Sequence, residues 1–209
     1  MYKDYIKPLL DRIGALVLLI VSLPILILIV CLIIVFNKTQ PFFIQRRPGK
    51  DEKIFELIKF RSMTNKKDAQ GNLLQDHLRI TALGQFLRKT SLDELPELLN
   101  ILKGDMSFVG PRPLLEEYLD KYSLEQRIRH TVKPGMTGLA QINGRNLLSW
   151  EEKFDLDLQY IQNLSLMNDI KILLKTFYVI FKTSNINHSK NVTMKKFQGS
   201  HRRVDEEKK

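Results

Sequence analysis

Arg88-Lys-Thr-Ser-Leu-Asp-Glu-Leu-Pro-Glu-Leu-Leu-Asn-Ile-Leu-Lys-Gly-Asp-Met-Ser-Phe-Val-Gly-Pro-Arg-Pro113 is the stretch around which the whole chain reads. Its centre is the acidic pair Asp93-Glu94, with Arg88 upstream and Pro111-Arg112-Pro113 downstream. Leu95, Leu98, Leu99 and Leu102 recur at helical spacing, Lys103 falls in the last turn, and Gly104 supplies a stop. Pro96 has no N–H and suits a first turn, so the pattern predicts a helix beginning near Asp93. Two carboxylates would then lie at a helix N-terminus, where the dipole favours their ionised form. Ser91-Leu92-Asp93-Glu94 also has the form of a capping box. Taken alone, the segment fits an ordinary helix start as well as a reactive pair, and the rest of the chain decides between the two.

The length of 209 residues suits one modest domain plus an anchor. A net charge of +10 points to anionic partners: nucleic acid, acidic lipid or phosphorylated substrates. The single cysteine, Cys31, excludes a disulfide framework or a cysteine-rich metal site within one chain.

Ile13 to Phe36 carries no charge over 24 residues, about 36 Å as one helix and enough to cross a bilayer. Both flanks are basic, however: Lys3, Lys7 and Arg12 before, and Lys38, Arg46, Arg47 and Lys50 after. The positive-inside rule wants each flank in the cytoplasm, which a single crossing cannot provide. Ser22-Leu23-Pro24 falls at mid-run, where Pro24 lacks a donor and clashes with the carbonyl of Ile20, and the Ser22 hydroxyl can bond a freed carbonyl. A spanning helix and a helix that bends and returns to the same face both remain open.

Beyond the anchor, Phe42–Arg46 and Lys53–Phe60 are apolar-rich, partly alternating runs separated by Pro48-Gly49-Lys50-Asp51, which predicts a β-hairpin. Lys59 leaves its second strand. Residues 66–76 read as a surface loop, and Arg79–Lys89 as a short helix delivering Arg88 near Asp93. Pro111 and Pro113 fix the backbone on both sides of Arg112, and a held planar guanidinium suits phosphate. Leu114–Val132 reads as an amphipathic helix or helix pair, broken at Lys133–Gly138, and Gly144-Arg145-Asn146 as a second arginine-bearing loop. Ser149-Trp150-Glu151-Glu152 is another capping box, opening a helix to about Asn163. A last helix runs from Asn168 to about Phe181; its apolar stripe suits either the core or a membrane interface. Met194–Lys209 reads as a loose tail. The fold class expected is α+β, mainly helical: an N-terminal membrane anchor with a break near Ser22-Pro24 (1–38), a domain with a small hairpin and amphipathic helices (39–195), and a polar tail (196–209).

Four blocks, RRPGKDEKIFELIKFRSM, RITALGQFLRKTSLDELPELLNILKGDMSFVGPRP, KPGMTGLAQINGR and DLDLQYIQNLSLMNDIKILLKT, together resemble the bacterial sugar transferases, the monotopic phosphoglycosyl transferases. In size and in its VTMKKF stretch the chain is most similar to the small undecaprenyl phosphate N,N′-diacetylbacillosamine-1-phosphate transferases. It departs from the family pattern at Leu23, which stands between Ser22 and Pro24, and at Leu139, where tryptophan is common.

The resemblance implies that the anchor is a re-entrant helix broken near Ser22-Pro24 and that residues 39–195 form the catalytic domain, with amphipathic helices at the membrane interface. It implies a phosphosugar transfer from a UDP-sugar to undecaprenyl phosphate, with UMP released, on the cytoplasmic face of a bacterial inner membrane. It implies Asp93 as a nucleophile and Glu94 as its assistant, through Mg²⁺ or through a proton. A carboxylate attacking phosphorus splits one displacement into two. A diphosphate repels that carboxylate, so cations are required: Mg²⁺ at Asp93 and Glu94, and Lys59, Arg88 and Arg112 as fixed charges, with Pro111 shaping the loop and Arg145 reaching the nucleotide or second phosphate. Two rival readings are a membrane-tethered glycosyltransferase releasing UDP and a non-enzymatic basic adaptor. No nucleic-acid motif is present, and aromatic residues are few beside the basic ones.

Overall fold

The structure is a computed structural model that describes residues 1–144, 147–184 and 196–199, with side chains to Val179 in the last helix. It is mainly helical, with two small sheets. The long N-terminal helix has α1 (Lys7–Leu32) at its centre and wider π turns at Tyr2–Ile6 and Ile33–Asn37. Helical structure continues through Pro24, and Ser22 Oγ donates to the carbonyl of Leu18 at 2.6 Å rather than to that of Ile20.

Strands β1 (Phe42–Pro48) and β2 (Ile54–Phe60) form the expected antiparallel hairpin, pairing Phe42 with Phe60 and Pro48 with Ile54. A single turn, α2 (Asp76–Arg79), and α3 (Ala82–Thr90) follow. Thr81 Oγ1 caps α3 by accepting from Gly84 N–H at 2.9 Å, so the helix starts three residues later than its sequence pattern suggests. A side chain at Gly84 would collide with the Ser62 backbone, so glycine lets α3 close onto the exit of β2.

Helix α4 (Glu97–Lys103) ends at Gly104 with φ 94°, as expected. Its start differs from the expectation. Asp93 and Glu94 lie in a separate 3₁₀ turn (Leu92–Glu94), and Pro96 is the N-cap of α4. Ser91 forms no capping box: it already closes α3 in the left-handed region at φ 58°. Strand β3 (Ser107–Val109) runs parallel to β4 (Gly135–Thr137), an association the sequence did not announce. It is possible because Gly135 lets its backbone pass against that of Gly110.

The stretch read as an amphipathic helix or pair is broken into short pieces: a 3₁₀ segment Glu116–Lys121, α5 (Leu124–Arg127) and a 3₁₀ turn Ile128–Thr131. Beyond it lie α6 (Leu139–Asn143), α7 (Trp150–Gln162) and α8 (Leu166–Ser184). The Ser149 capping box is present, with Glu152 N–H donating to Ser149 Oγ at 3.2 Å and Ser149 N–H to Glu152 Oε2 at 2.7 Å.

The long helix is a wall of the core along most of its length. Near its N-terminus, Ala15 is buried with Phe55, Leu57, Leu98, Ile101 and Met106. Near its C-terminus, Ile29 and Ile33 are buried with Phe60 and Leu87. Lys7, counted above in the basic flank, is buried and ion-paired to Asp169 at 2.6 Å, and Asp169 also accepts from Tyr2 and Tyr160. The opposite side exposes Val17, Ile20, Val21, Leu28, Val35 and Phe36. In α8 the apolar stripe divides: Ile172 is buried, whereas Leu174 and Phe177 are exposed. Phe197, assigned above to a loose tail, is buried among Tyr118, Tyr122 and Phe154.

His130 Nδ1 donates to the carbonyl of Gly49 at 3.2 Å and holds the hairpin loop, while its Nε2 is buried without a partner among the described residues. Burial, and then the nearby Arg129 charge, lower its pKa from 6.5 to about 4. Between those values the unfolded chain binds a proton that the folded chain refuses, so stability falls as pH drops through this window. The contribution is up to about 3 kcal/mol. Denaturation of detergent-solubilised protein at pH 7 and pH 4.5 is expected to show this loss, and His130→Gln to flatten it.

Candidate active site

Three segments converge on the acidic pair: the end of β2, the turn before α4, and the Pro111–Pro113 loop. Asn100, fully buried on α4, clamps β2 by donating to the Glu56 carbonyl at 2.7 Å and accepting from Ile58 N–H at 3.1 Å. That clamp fixes where Lys59, the next residue of the strand, meets α4. Lys59 Nζ lies 2.7 Å from Glu94 Oε1 and 2.9 Å from Glu97 Oε1. Arg112 reaches the same Glu94 oxygen at 2.6 Å.

The structure thus brings Lys59, Glu94 and Arg112 into one cluster, with Asp93 beside them. Arg88 stands nearby but bonds elsewhere: its Nε donates to Ser62 Oγ at 2.8 Å, and it acts on Asp93 through its charge. Pro111 is buried, and its carbonyl accepts from Gly135 N–H at 2.9 Å, which ties the arginine loop to β4. Arg145 lies outside the described residues.

The charges differ in state. Burial alone would raise the pKa of Glu94, yet Arg112 and Lys59 overturn this and hold it well below the usual carboxylate range. Glu94 is thus an ionised anchor for two cations. Asp93 is pushed upward by burial and then by Glu94, with Lys59, Arg88 and Arg112 pulling the other way. It forms no ion pair among the described residues, which leaves its carboxylate available for chemistry.

Four contributors were not read from the sequence. Glu97 is 2% exposed, and burial followed by Glu94 raises its pKa despite Lys59. Its signal was present: it lies one helical turn after Glu94. Arg47 shares the hairpin face of Lys59, since Arg47 pairs with Phe55, Gln45 with Leu57 and Phe43 with Lys59. Arg129 and Asp157 form a buried pair at 2.8 Å, and Arg129 also donates to the carbonyl of Arg112 at 2.7 Å. That bond holds the backbone of Arg112 from behind, in addition to its flanking prolines.

Asp93 and Glu94 suit Mg²⁺ as a partial donor set, because that ion commonly takes one or two carboxylates and completes its shell with substrate phosphates and water. Glu94 Oε1 is already engaged by two cations, and among the described residues no cluster of three metal-ligating side chains occurs.

Comparison with known proteins bears on the family. The family model for bacterial sugar transferases matches residues 2–183. An uncharacterized sugar transferase of Bacillus subtilis, EpsL, is 47% identical over 195 residues, covering 93% of this chain and 96% of that protein. The UDP-galactose-lipid carrier transferase of Erwinia amylovora is 38% identical and matches 85% of this chain, but only 41% of its own length. The UDP-glucose:undecaprenyl-phosphate glucose-1-phosphate transferase of Klebsiella pneumoniae is 42% identical over 180 residues, 38% of its length. With a family match over residues 2–183 and a relative 47% identical along nearly its whole length, the chain belongs to the bacterial sugar transferase family.

Proposed function

We propose that the protein transfers a phosphosugar from a UDP-sugar to undecaprenyl phosphate in two displacements. The observation that carries the reading is a carboxylate, Asp93, that has no ion pair among the described residues and stands beside Lys59, Arg88 and Arg112. In the first displacement an Asp93 oxygen attacks the β-phosphorus of the donor. The bond from that phosphorus to the bridging oxygen breaks, and UMP leaves with the oxygen. In the second, an oxygen of the acceptor phosphate attacks the same phosphorus, freeing Asp93 and forming an undecaprenyl diphosphate sugar. Arg112 and Lys59, both fixed by Glu94, lower the repulsion between carboxylate and diphosphate. Mg²⁺ held by Asp93 and Glu94 would supply further neutralisation of the phosphate oxygens.

The donor is proposed to be UDP-N,N′-diacetylbacillosamine, in keeping with the chain's likeness to the small transferases. UDP-galactose and UDP-glucose, suggested by the names of the relatives, are the comparison donors. Incubating each with undecaprenyl phosphate and identifying the nucleotide product tests the reaction. UMP is the expected product; UDP would return the protein to simple glycosyl transfer.

Membrane placement is supported by the long helix, which holds a window of mean hydropathy 3.5. As one helix, Tyr2–Asn37 is about 54 Å long, well beyond a hydrocarbon core of about 30 Å. Residues near both of its ends are buried against one domain, which favours a helix that enters and returns on the cytoplasmic face of the inner membrane. Amine labelling in sealed vesicles is expected to reach Lys3 and Lys38 from the same side; labelling from opposite sides would establish a crossing.

A further inference from the structure

Beside the acidic pair is a cavity of about 80 Å³, room for several water-sized groups and so for one phosphate. Arg47, Lys59, Glu97 and Arg112 supply its polar walls, and Leu57 and Leu114 part of the apolar remainder. Neither Asp93 nor Glu94 lines it, so the cavity lies to one side of the Asp93 carboxylate.

Two of the three cations are already committed to carboxylates. Lys59 bridges Glu94 and Glu97, and Arg112 holds Glu94. Arg47 has no carboxylate partner among the described residues. Its NH2 donates to Gln45 Oε1 at 2.7 Å and its NH1 to the Pro113 carbonyl at 3.4 Å, while Nε is buried and unbonded. Burial, and then the like charge of Arg112, pull this guanidinium down to about 10. Two guanidinium groups that repel across a small partly apolar cavity, one with an unused buried N–H, are completed by an anion rather than by a neutral ligand. A phosphate oxygen accepts from both forks and removes the repulsion.

We propose that Arg47 is a substrate-binding residue, which with Arg112 and Lys59 forms a second phosphate subsite beside the Asp93 centre. The inference rests on the proposed transferase reading, and its occupant is a phosphate of one of the two substrates: the α-phosphate of the donor or the phosphate of the lipid acceptor.

The test joins kinetics with binding. In Arg47→Met, which keeps the apolar stem, KM for one substrate is expected to rise at least about tenfold with a smaller change in kcat. A rise for the UDP-sugar assigns the subsite to the donor, and a rise for undecaprenyl phosphate assigns it to the acceptor. Both KM values within twofold of wild type would overturn the proposal. Independently of turnover, inorganic pyrophosphate is expected to raise the melting temperature of the wild-type protein and not that of Arg47→Met; an equal rise in both would also overturn it. Should Arg47→Met fail to fold, Arg47→Lys, which keeps one charge but loses the fork, is read by the same two measurements. If the wild-type protein turns over no UDP-sugar, the transferase reading fails, and the pyrophosphate shift alone decides the subsite.

Discussion

Asp93→Asn is expected to lower turnover by at least about a thousandfold while the protein still folds and inserts. The amide keeps the shape of the side chain and removes the attacking charge. Folding should not suffer, because Asp93 forms no ion pair among the described residues and burial already disfavours its ionised form. The melting temperature of Asp93→Asn should match or slightly exceed that of the wild type. Without acceptor, radiolabelled donor should leave a trapped phosphosugar on the wild-type enzyme and none on the variant. Retained turnover, or an adduct on the variant, would remove Asp93 from the role of nucleophile. Glu94→Gln offers a contrast: Glu94 binds Lys59 and Arg112, so its loss should disturb the site and its stability together.

The second large effect concerns Asp157, away from the reacting atoms. The Arg129 and Asp157 side chains are 3% and 5% exposed, and Asp157 accepts from both Nε and NH2 of Arg129. Asp157→Ala strands a buried guanidinium and is expected to cost about 3–5 kcal/mol, or roughly 10 °C in melting temperature for a chain of this size. Arg129→Met with Asp157→Leu replaces both charges by apolar groups and should recover most of that stability. It cannot restore the donor to the Arg112 carbonyl. The double variant should therefore melt near the wild-type temperature yet keep a raised KM for a phosphate-bearing substrate. Full recovery of kcat/KM would show that the pair serves stability alone.

Much of this site could be read from the chain before its structure. The hairpin followed from alternation around Pro48-Gly49, and it carried Lys59 to the acidic pair because Asn100 clamps the strand beside it. The prolines around Arg112 announced a held guanidinium. Glu97 was passed over because an acidic residue at a helix start is ordinary; its importance comes from Lys59, which lies on another element. Arg47 was counted only as a basic flank of the anchor, since nothing local marks a strand arginine as facing Arg112. The Ser91 capping box failed for a local reason, that residue having already been used to end α3. Phe197 was misjudged because one aromatic residue in a polar run carries no periodic signal, yet it completes a cluster assembled from Tyr118, Tyr122 and Phe154.

Ala15 and Ile33, on the long helix, are both fully buried against the rest of the chain. An anchor built this way is no tether. The lipid-facing surface and the catalytic pocket share one packed interior, so the height of the pocket above the acyl chains is set by side-chain interlock rather than by linker length. Thinner or thicker bilayers would then move the pocket and its anchor together, as a float moves with the waterline.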